Sequence, residues 1–172
     1  MKIIKSIFND VHLLAPKIFS DNRGLFYESY KDLTFNKIAG KEVVFVQDNH
    51  SYSKKSVLRG LHYQIEPYEQ DKLVRVISGE IFDVVVDVRK SSKTFGQWHG
   101  VFLSSSNNNQ LWIPKGFAHG FVVTSSDAVV LYKTTEYYYP RYEQTIKFDD
   151  PDLNIQWPIK IETVSVKDSS AV

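Results

Sequence analysis

The feature that most constrains the fold of this chain is a series of short β-rich runs bounded by turn residues. Only one stretch, residues 31–39 followed by Gly40, has a fair helical pattern. Many short strands with almost no helix exclude a βαβ fold and predict a sandwich or barrel of antiparallel strands. The predicted strands are 43–47, 72–77, 80–88, 99–103, 110–113, 117–123 and 129–134.

Two of these runs follow each other closely, with Ser78 and Gly79 between them. A glycine between two strand-like runs is typical of a tight turn, so the sequence predicts that 72–77 and 80–88 form a hairpin. The polar stretches 104–109 and 125–127 are predicted to be loops between the later strands.

Length, charge and composition narrow the class of protein. A chain of 172 residues, 42% of them apolar, is expected to fold as one domain over 1–172. It has no cysteine, which excludes disulfides, thiolate metal sites and cysteine nucleophiles. With 21 basic and 20 acidic residues, charge gives no reason to expect a nucleic acid or a membrane surface as partner. We expect a soluble, cytoplasmic protein, because the N-terminal residues lack the apolar core of a signal peptide and no run is long enough to cross a bilayer.

Two histidines lie in patterns that suggest a site. In the stretch Arg59-Gly60-Leu61-His62, a regular strand would point Arg59 and His62 to opposite faces, so a shared site requires a bulge at Gly60. His119 alternates with Phe117 and Phe121, on a face that lines either a core or a ligand cavity.

The spacing Pro114-x-Gly116-x-x-His119 resembles the second motif of the cupin superfamily. This resemblance implies an all-β, cupin-type jelly-roll barrel of antiparallel strands with a few short helices. Many cupins bind a metal through an earlier His-x-His motif, but here that position reads His62-Tyr63-Gln64. Glutamine is a poor ligand for transition metals, and the positive charge of Lys72 would repel a cation. We therefore expect no metal.

A metal-free pocket that holds His, Lys, Arg and Tyr suits an anionic ligand and proton transfer. Histidine has a pKa suited to a general base near neutral pH, and lysine can stabilise a developing enolate oxygen. Arginine binds phosphates through its bidentate fork. Each of these residue types, taken alone, is also common in protein cores or on protein surfaces without any role in a site.

The combination of motifs, in order along nearly the whole chain, resembles the dTDP-4-dehydrorhamnose 3,5-epimerase family. The matching segments are 21–28, 47–51, 58–64, 72–74, 79–88, 95–96, 111–121, 132–133, 149–151 and 155–158. The resemblance implies an isomerase that removes the acidic C–H protons of a nucleotide-linked 4-keto-6-deoxy sugar and returns them to the other face. Such a protein would serve deoxysugar or surface-glycan biosynthesis, with a nucleoside-diphosphate sugar as substrate and no cofactor.

The resemblance also implies a role for individual residues. The implied catalytic residues are His62 as the base, Asp168 as its orienting carboxylate, Tyr132 as the acid and Lys72 beside the keto oxygen. The implied substrate-binding residues are Arg23, Glu28, Gln47, Asn49, Arg59, His119, Tyr138, Glu143 and Lys167, with Tyr138 stacked on the base. In this family the segment that carries Arg23 often crosses to a partner subunit, which implies a homodimer.

Several alternatives stay open at this point. Asp168 lies four residues from the C-terminus, where chains fray, so Asp83 is an alternative partner for His62 if its side chain enters the barrel and does not face solvent. Tyr132 fits the pattern of a plain core tyrosine. The alternative functions are a C3-only epimerase, a 3,4-ketoisomerase, a non-catalytic sugar-binding cupin and, last, a metal-dependent cupin.

Overall fold

The structure, a computed structural model, describes residues 1–171. In this range the chain is mostly antiparallel β-structure with two short α-helices and a 3₁₀ turn at Pro140–Tyr142. The strands are β1 (Lys2–Ile7), β2 (Val11–Ala15), β3 (Phe19–Asp21), β4 (Gly24–Phe26), β5 (Gln47–Lys54), β6 (Leu58–Gln64), β7 (Lys72–Asp87), β8 (Trp98–Ser104), β9 (Gln110–Ile113), β10 (Phe117–Thr134) and β11 (Glu143–Thr145). The helices are α1 (Asp32–Ala39) and α2 (Val166–Ser169).

The strands form a barrel with two faces, and the long strands β7 and β10 run through both. The first half of β7 and the second half of β10 lie in a sheet ordered β1-β2-β9-β7-β10-β5. Their other halves lie in a sheet ordered β8-β7-β10-β6-β11. All of these pairings are antiparallel, as the sequence predicts.

The predicted hairpin at Gly79 is wrong. Residues 72–77 and 80–87 do not pair with each other but are two halves of the continuous strand β7, and the predicted loop 125–127 likewise lies inside β10. Gly79 has φ of +79°, and a Cβ there would come within 2.0 Å of the Asp127 carbonyl oxygen. The glycine is needed because the two strands bend together where they pass from one sheet to the other.

The predicted strand 43–47 is also wrong over most of its length, because β5 begins only at Gln47. The backbone amide of Val43 donates to the Asn36 side chain on α1, at 3.1 Å, and not to a neighbouring strand. Phe45 packs with Phe35 and Trp112 between helix and sheet. Val43 and Phe45 therefore fill the space under α1 outside any sheet, whereas Val44 and Val46 are exposed. The helix itself agrees with its prediction and ends at Gly40, which has the left-handed φ of +67°.

The barrel interior is apolar over much of its length and polar at one end. Its main core includes Val74, Val130, Ile81, Val85 and Phe121, all buried. Alternation along the same strands also places polar side chains on this inner face, some of them between core residues. These are Lys72, Asp83, His119 and Tyr132. No helix of the described residues is long and apolar enough to cross a membrane.

Candidate active site

A cavity of about 510 Å³ opens at the polar end of the barrel. Strands β5, β6, β7 and β10 and the segment that leads into α2 form its wall. A smaller cavity of about 290 Å³ adjoins it and shares part of the lining. The residues common to both are Asn49, His62, Lys72 and Tyr132. Gln47, Asn49, Tyr132 and Lys72 share this face because they lie in register across β5, β10 and β7.

The bulge predicted at Gly60 is confirmed. His62 pairs with His119 and Arg59 with Phe121, so β6 uses one residue more than β10 over this stretch. Gly60 has φ of +126°, and a Cβ on it would lie 2.4 Å from the Cα of Gly120. Two glycines face each other here, so the strands approach closely. As a result Arg59 and His62 both line the cavity.

His62 and Asp168 form a close pair at the centre of the site. Nε2 of His62 lies 2.6 Å from Oδ1 of Asp168, and the Gly60 amide donates to Oδ2 at 3.3 Å. Burial opposes the charge of this carboxylate, but the bonds from His62, Gly60 and Ser165 outweigh that effect and hold the pKa of Asp168 below its usual value. A carboxylate only accepts, so Nε2 carries the proton and Nδ1 keeps its lone pair for use as a base.

The segment that carries Asp168 is ordered helix and not a polar tail. Asp168 lies in the first turn of α2 and is only 2% exposed. The hydroxyl of Ser165 accepts from the Asp168 amide at 3.0 Å, which is the bond of a helix N-cap. Just before it, the Thr163 carbonyl accepts from the Leu58 amide at 2.9 Å and fastens the segment to β6.

Asp83, the alternative partner for His62, binds a different histidine. It is fully buried in the barrel, and both of its carboxylate oxygens lie 2.9 Å from Nε2 of His119. The site therefore contains two histidine–carboxylate pairs on adjacent strands, with His119 directly opposite His62. Asp83 enters the lumen because it shares a face with Ile81 and Val85, as its position in β7 allows.

Lys72 is a buried amine beside the histidine. Its Nζ donates to the backbone carbonyl of His62 at 3.2 Å, and the residue is 8% exposed. Burial lowers the pKa of Lys72 to about 8, although the nearby charges of Glu143 and Asp83 oppose the change. A lysine held in this way can change protonation state near neutral pH, which an exposed lysine does not do.

Tyr132 and Arg59 complete the inner wall. Burial, and then the charge of Glu143, raise the pKa of Tyr132, so its phenol keeps its proton at neutral pH. Arg59 is anchored by Nε, which donates to the Ser53 hydroxyl at 2.9 Å, and by Nη2, which donates to the Tyr52 carbonyl at 3.3 Å. The guanidinium is thus directed by β5 toward the same cavity that Tyr132 lines.

A polar network borders the smaller cavity. Tyr138 donates to Oε2 of Glu143 at 2.7 Å, Lys167 forms an ion pair with the same carboxylate, and Gln47 donates to Asn49 at 3.0 Å. Oε1 of Glu143 lies 3.9 Å from Nδ1 of His62. Burial works against the charge of Glu143, but the bonds from Lys167 and Tyr138 prevail and lower its pKa. The bond to Glu143, more than burial, raises the pKa of Tyr138 to about 12.

Two of the predicted binding residues lie outside both cavities. Arg23 is at the tip of the β3–β4 hairpin, where it pairs with Asp21 at 2.6 Å and is 85% exposed. Glu28 follows that hairpin and lies 3.8 Å from Lys31. The structure therefore brings together every predicted site residue except Arg23 and Glu28, which do not reach the site of their own chain.

Gln64, at the position where many cupins have a metal-ligating histidine, makes all of its polar contacts with the backbone. Its amide donates to the carbonyls of Tyr68 and Tyr137, and its oxygen accepts from the Tyr139 amide. It lines neither cavity. Among residues 1–171 no three His, Asp or Glu side chains gather in a way that could hold a metal ion.

The sequence interpretation missed Ser165 as part of the site, although a signal for it was present. Ser165-Val166-Lys167-Asp168 has the pattern of a Ser followed three residues later by an acid, which marks a helix N-terminus. Ser53, which anchors Arg59, and Gly120, which faces Gly60, had no such local signal, because their roles arise only from strand pairing.

Comparison with known proteins gives a consistent result. The family model described as dTDP-4-dehydrorhamnose 3,5-epimerase matches residues 5–172. A protein of that name from Shigella flexneri is 54% identical over 98% of this chain and 93% of its own length.

Solved structures agree with this match and confirm the cupin-type barrel. A dTDP-6-deoxy-D-glucose-3,5-epimerase from Legionella pneumophila, in complex with dTDP-4-keto-L-rhamnose, superposes with a TM-score of 0.94 at 49% identity, over 99% of this chain and 90% of that chain. A dTDP-4-dehydrorhamnose 3,5-epimerase from Bacillus anthracis with TDP and pyrophosphate bound has a TM-score of 0.96 at 44% identity, over 99% and 98%. Because the family model and the similar sequences both match almost the whole chain, this protein belongs to the dTDP-4-dehydrorhamnose 3,5-epimerase family.

Proposed function

We propose that the protein inverts C3 and C5 of a dTDP-linked 4-keto-6-deoxyhexose. The observation that carries this proposal is the geometry around His62. Its Nε2 is held by Asp168 at 2.6 Å, while its Nδ1 has no hydrogen bond among the described residues and lies 3.9 Å from Oε1 of Glu143. The amine of Lys72 and the phenol of Tyr132 line the same cavities. A base, a cation and an acid around one space are what an enolate route requires.

In the first half of the reaction Nδ1 of His62 takes the proton from the carbon beside the ketone. The C–H electron pair becomes a C=C bond, and the carbonyl electrons move to oxygen, which becomes an enolate. Asp168 stabilises the imidazolium that results, in the way a buried carboxylate supports a catalytic histidine. Lys72 as ammonium stabilises the enolate oxygen.

In the second half Tyr132 gives its phenolic proton to the same carbon from the opposite face, and the enolate electrons return to form the ketone. The raised pKa of Tyr132 means that it holds this proton until the enolate needs it. Proton exchange with water then restores the imidazole and the phenol. The same sequence at the second carbon gives the doubly inverted sugar.

The other residues of the site suit the nucleotide diphosphate. Arg59 and His119 would contact the diphosphate or the sugar, since both line the larger cavity and the guanidinium of Arg59 can donate to phosphate oxygens. Gln47 and Asn49 would bind the base or ribose, and the half-exposed Tyr138 would stack on the base. Glu143 and Lys167 would contact the substrate at its periphery.

A homodimer completes this proposal. The β3–β4 hairpin exposes three large apolar side chains, at 52% for Phe19, 56% for Leu25 and 68% for Phe26. Such a patch on one small hairpin is suited to a protein interface. We propose that it packs on a second copy and there brings Arg23 and Glu28 to the nucleotide end of the partner's cavity. The cytoplasmic location and the independence from metals and cofactors stay predictions of the sequence.

Deuterium incorporation tests the reaction directly. The protein is incubated with dTDP-4-keto-6-deoxyglucose in heavy water, and C3 and C5 are followed by NMR. We expect exchange at both carbons and formation of the inverted sugar. The variant His62→Ala should lose exchange by at least about 10³-fold, because proton abstraction loses its base, and should still bind dTDP. His12→Ala, a histidine of β2 outside both cavities, is the matched control.

The outcomes separate the alternatives. Exchange at C3 alone would replace the proposal with a C3-only epimerase. Migration of the ketone to C3 would indicate a 3,4-ketoisomerase. No exchange together with tight dTDP binding would leave a non-catalytic binding protein. If His62→Ala kept most of the exchange, the assignment of His62 as the base would be wrong.

A further inference from the structure

Gln64 is a buried glutamine that the proposed reaction does not use. It is 5% exposed and is the last residue of β6, two positions after His62. Its amide nitrogen donates to the Tyr68 carbonyl at 2.6 Å and to the Tyr137 carbonyl at 3.1 Å, and its oxygen accepts from the Tyr139 amide at 2.6 Å. Both N–H groups and the oxygen of this side chain thus form hydrogen bonds.

Two of these bonds enclose Tyr138. They fasten the residue before it and the residue after it, so the backbone of Tyr138 is fixed from both sides. A second amide, that of Gln70, donates to the Glu136 carbonyl at 2.8 Å. The centroids of the Tyr68 and Tyr139 rings lie 3.8 Å apart, so ring packing adds to the contacts that hold this segment.

The position of the Tyr138 ring depends on its backbone, to which the Gln47 side chain also contributes by accepting from the Tyr138 amide at 3.3 Å. The ring is half exposed at the rim of the smaller cavity, and its hydroxyl bonds only to Glu143 among the described residues. A ring that stacks on a base contributes most when it is already in place, because ordering it on binding costs conformational entropy.

We propose that Gln64 is a positioning residue for nucleotide binding, which acts by fixing the segment 137–139 that presents Tyr138. This inference rests on the proposed function. The end of β6 then carries two functional residues. His62 acts on the sugar ring, and Gln64 positions the segment that binds the nucleotide. The position that would hold a metal ligand in many cupins is used here for substrate affinity.

The test is a change of Gln64 that keeps its shape. Gln64→Glu replaces the N–H donors by an oxygen that faces two carbonyls, and Gln64→Met removes the polar group without adding charge. Binding of dTDP is measured by calorimetry, and deuterium exchange at saturating substrate reports the chemical steps. We expect dTDP to bind at least about fivefold more weakly to both variants and KM to rise, with the exchange rate at saturation within about twofold of the parent protein. Gln144→Glu, an exposed glutamine of β11, is the control for the added charge.

A double-mutant cycle with Tyr138→Ala distinguishes positioning from general destabilisation. If Gln64 acts through Tyr138, then Gln64→Met should weaken dTDP binding by less than about twofold once the ring is gone. A full additional loss in that background would overturn the inference, and so would parent-like dTDP binding by both Gln64 variants. Failure of the parent protein to bind dTDP would instead overturn the proposed function, a result that is recognised without any variant.

Discussion

Burial gives one lysine of this protein properties that its sequence does not show. Lys72 is the first residue of β7. Its buried amine donates to the backbone carbonyl of His62 and lies near two carboxylates, those of Asp83 and Glu143. The same burial that suits it to an enolate oxygen makes its charge unfavourable in the folded protein. Function and stability therefore oppose each other at this side chain.

The stability effect of Lys72 has a definite pH dependence. Its pKa is about 8 in the folded protein against an ordinary 10.5, a difference on the order of 3 kcal/mol. Below pH 8 both states hold the proton and the cost of burying the charge is fully present. Between pH 8 and 10.5 the unfolded state holds more protons, so the contribution of this group to stability rises with pH.

We expect Lys72→Met to be more stable than the parent protein at pH 7, with a gain that shrinks as the pH approaches 10.5. Urea unfolding at pH 7, 8.5 and 10 measures the difference. Epimerase activity should fall by about 10² to 10³, as it does when one oxyanion donor is removed elsewhere. Lys54→Met, an exposed lysine at the end of β5, is the control. A variant that is less stable at pH 7 than the parent would contradict this account of Lys72.

At the residue scale, the sequence predicts which side chains line the site better than it predicts which of them pair with each other. The irregular strand between Arg59 and His62 followed from the geometry of alternation, and Gly60 confirms it. Whether Asp83 or Asp168 supports His62 could not be decided, since that depends on which distant parts of the chain pack beside His62. The pairing of His119 with Asp83 settles it only once β7 and β10 are seen side by side.

At the scale of whole elements, the bent strands were beyond local sequence patterns. Gly79 and the polar residues 125–127 have the composition of turns, and in the structure they do bend the chain. A hairpin turn and a bend shared by two paired strands use the same residue types. The difference lies in which segment each half pairs with, and local sequence carries no information on that.

The short helix α2 is the element on which the site depends most. It delivers Asp168 to His62, and its own first turn is capped by Ser165. We expect Ser165→Ala to lose about 1 kcal/mol from the docking of this turn and to reduce the exchange rate about fivefold at saturating substrate, with little change in dTDP affinity. Deuterium exchange and dTDP titration measure the two quantities.

Two further variants show whether the cap is the cause. Ser165→Asp, which also caps helices well, should restore most of the rate. Ser170→Ala, which alters an exposed serine after the helix, should leave it unchanged. If Ser165→Asp were as slow as Ser165→Ala, a role for the cap in positioning Asp168 would be ruled out.

At the scale of the molecule, apolar side chains stabilise the barrel, and polar side chains at its mouth line the proposed active site. Long strands continue from an apolar core into the polar end, so Val74 and Val130 pack in the same barrel whose mouth holds Lys72 and Tyr132. The fold class could be predicted from the strand pattern and the motif spacing, but this division could not. The two cavities, and the exclusion of Arg23 from both, depend on the arrangement of the whole chain.

The exposed β3–β4 hairpin should hold the two copies of the proposed dimer together. In a two-fold dimer each substitution occurs twice, so Phe26→Asp removes two aromatic contacts of roughly 1.5 kcal/mol or more each and buries two unpaired charges. We expect the dimer dissociation constant to rise at least about 100-fold, measured by analytical ultracentrifugation against the 19.9 kDa mass of one chain. Phe95→Asp changes a similarly exposed ring in another loop and should not affect the mass. Dissociation should also weaken dTDP binding, because Arg23 and Glu28 would leave the partner's cavity; unchanged affinity in a proven monomer would place the whole nucleotide site within one chain.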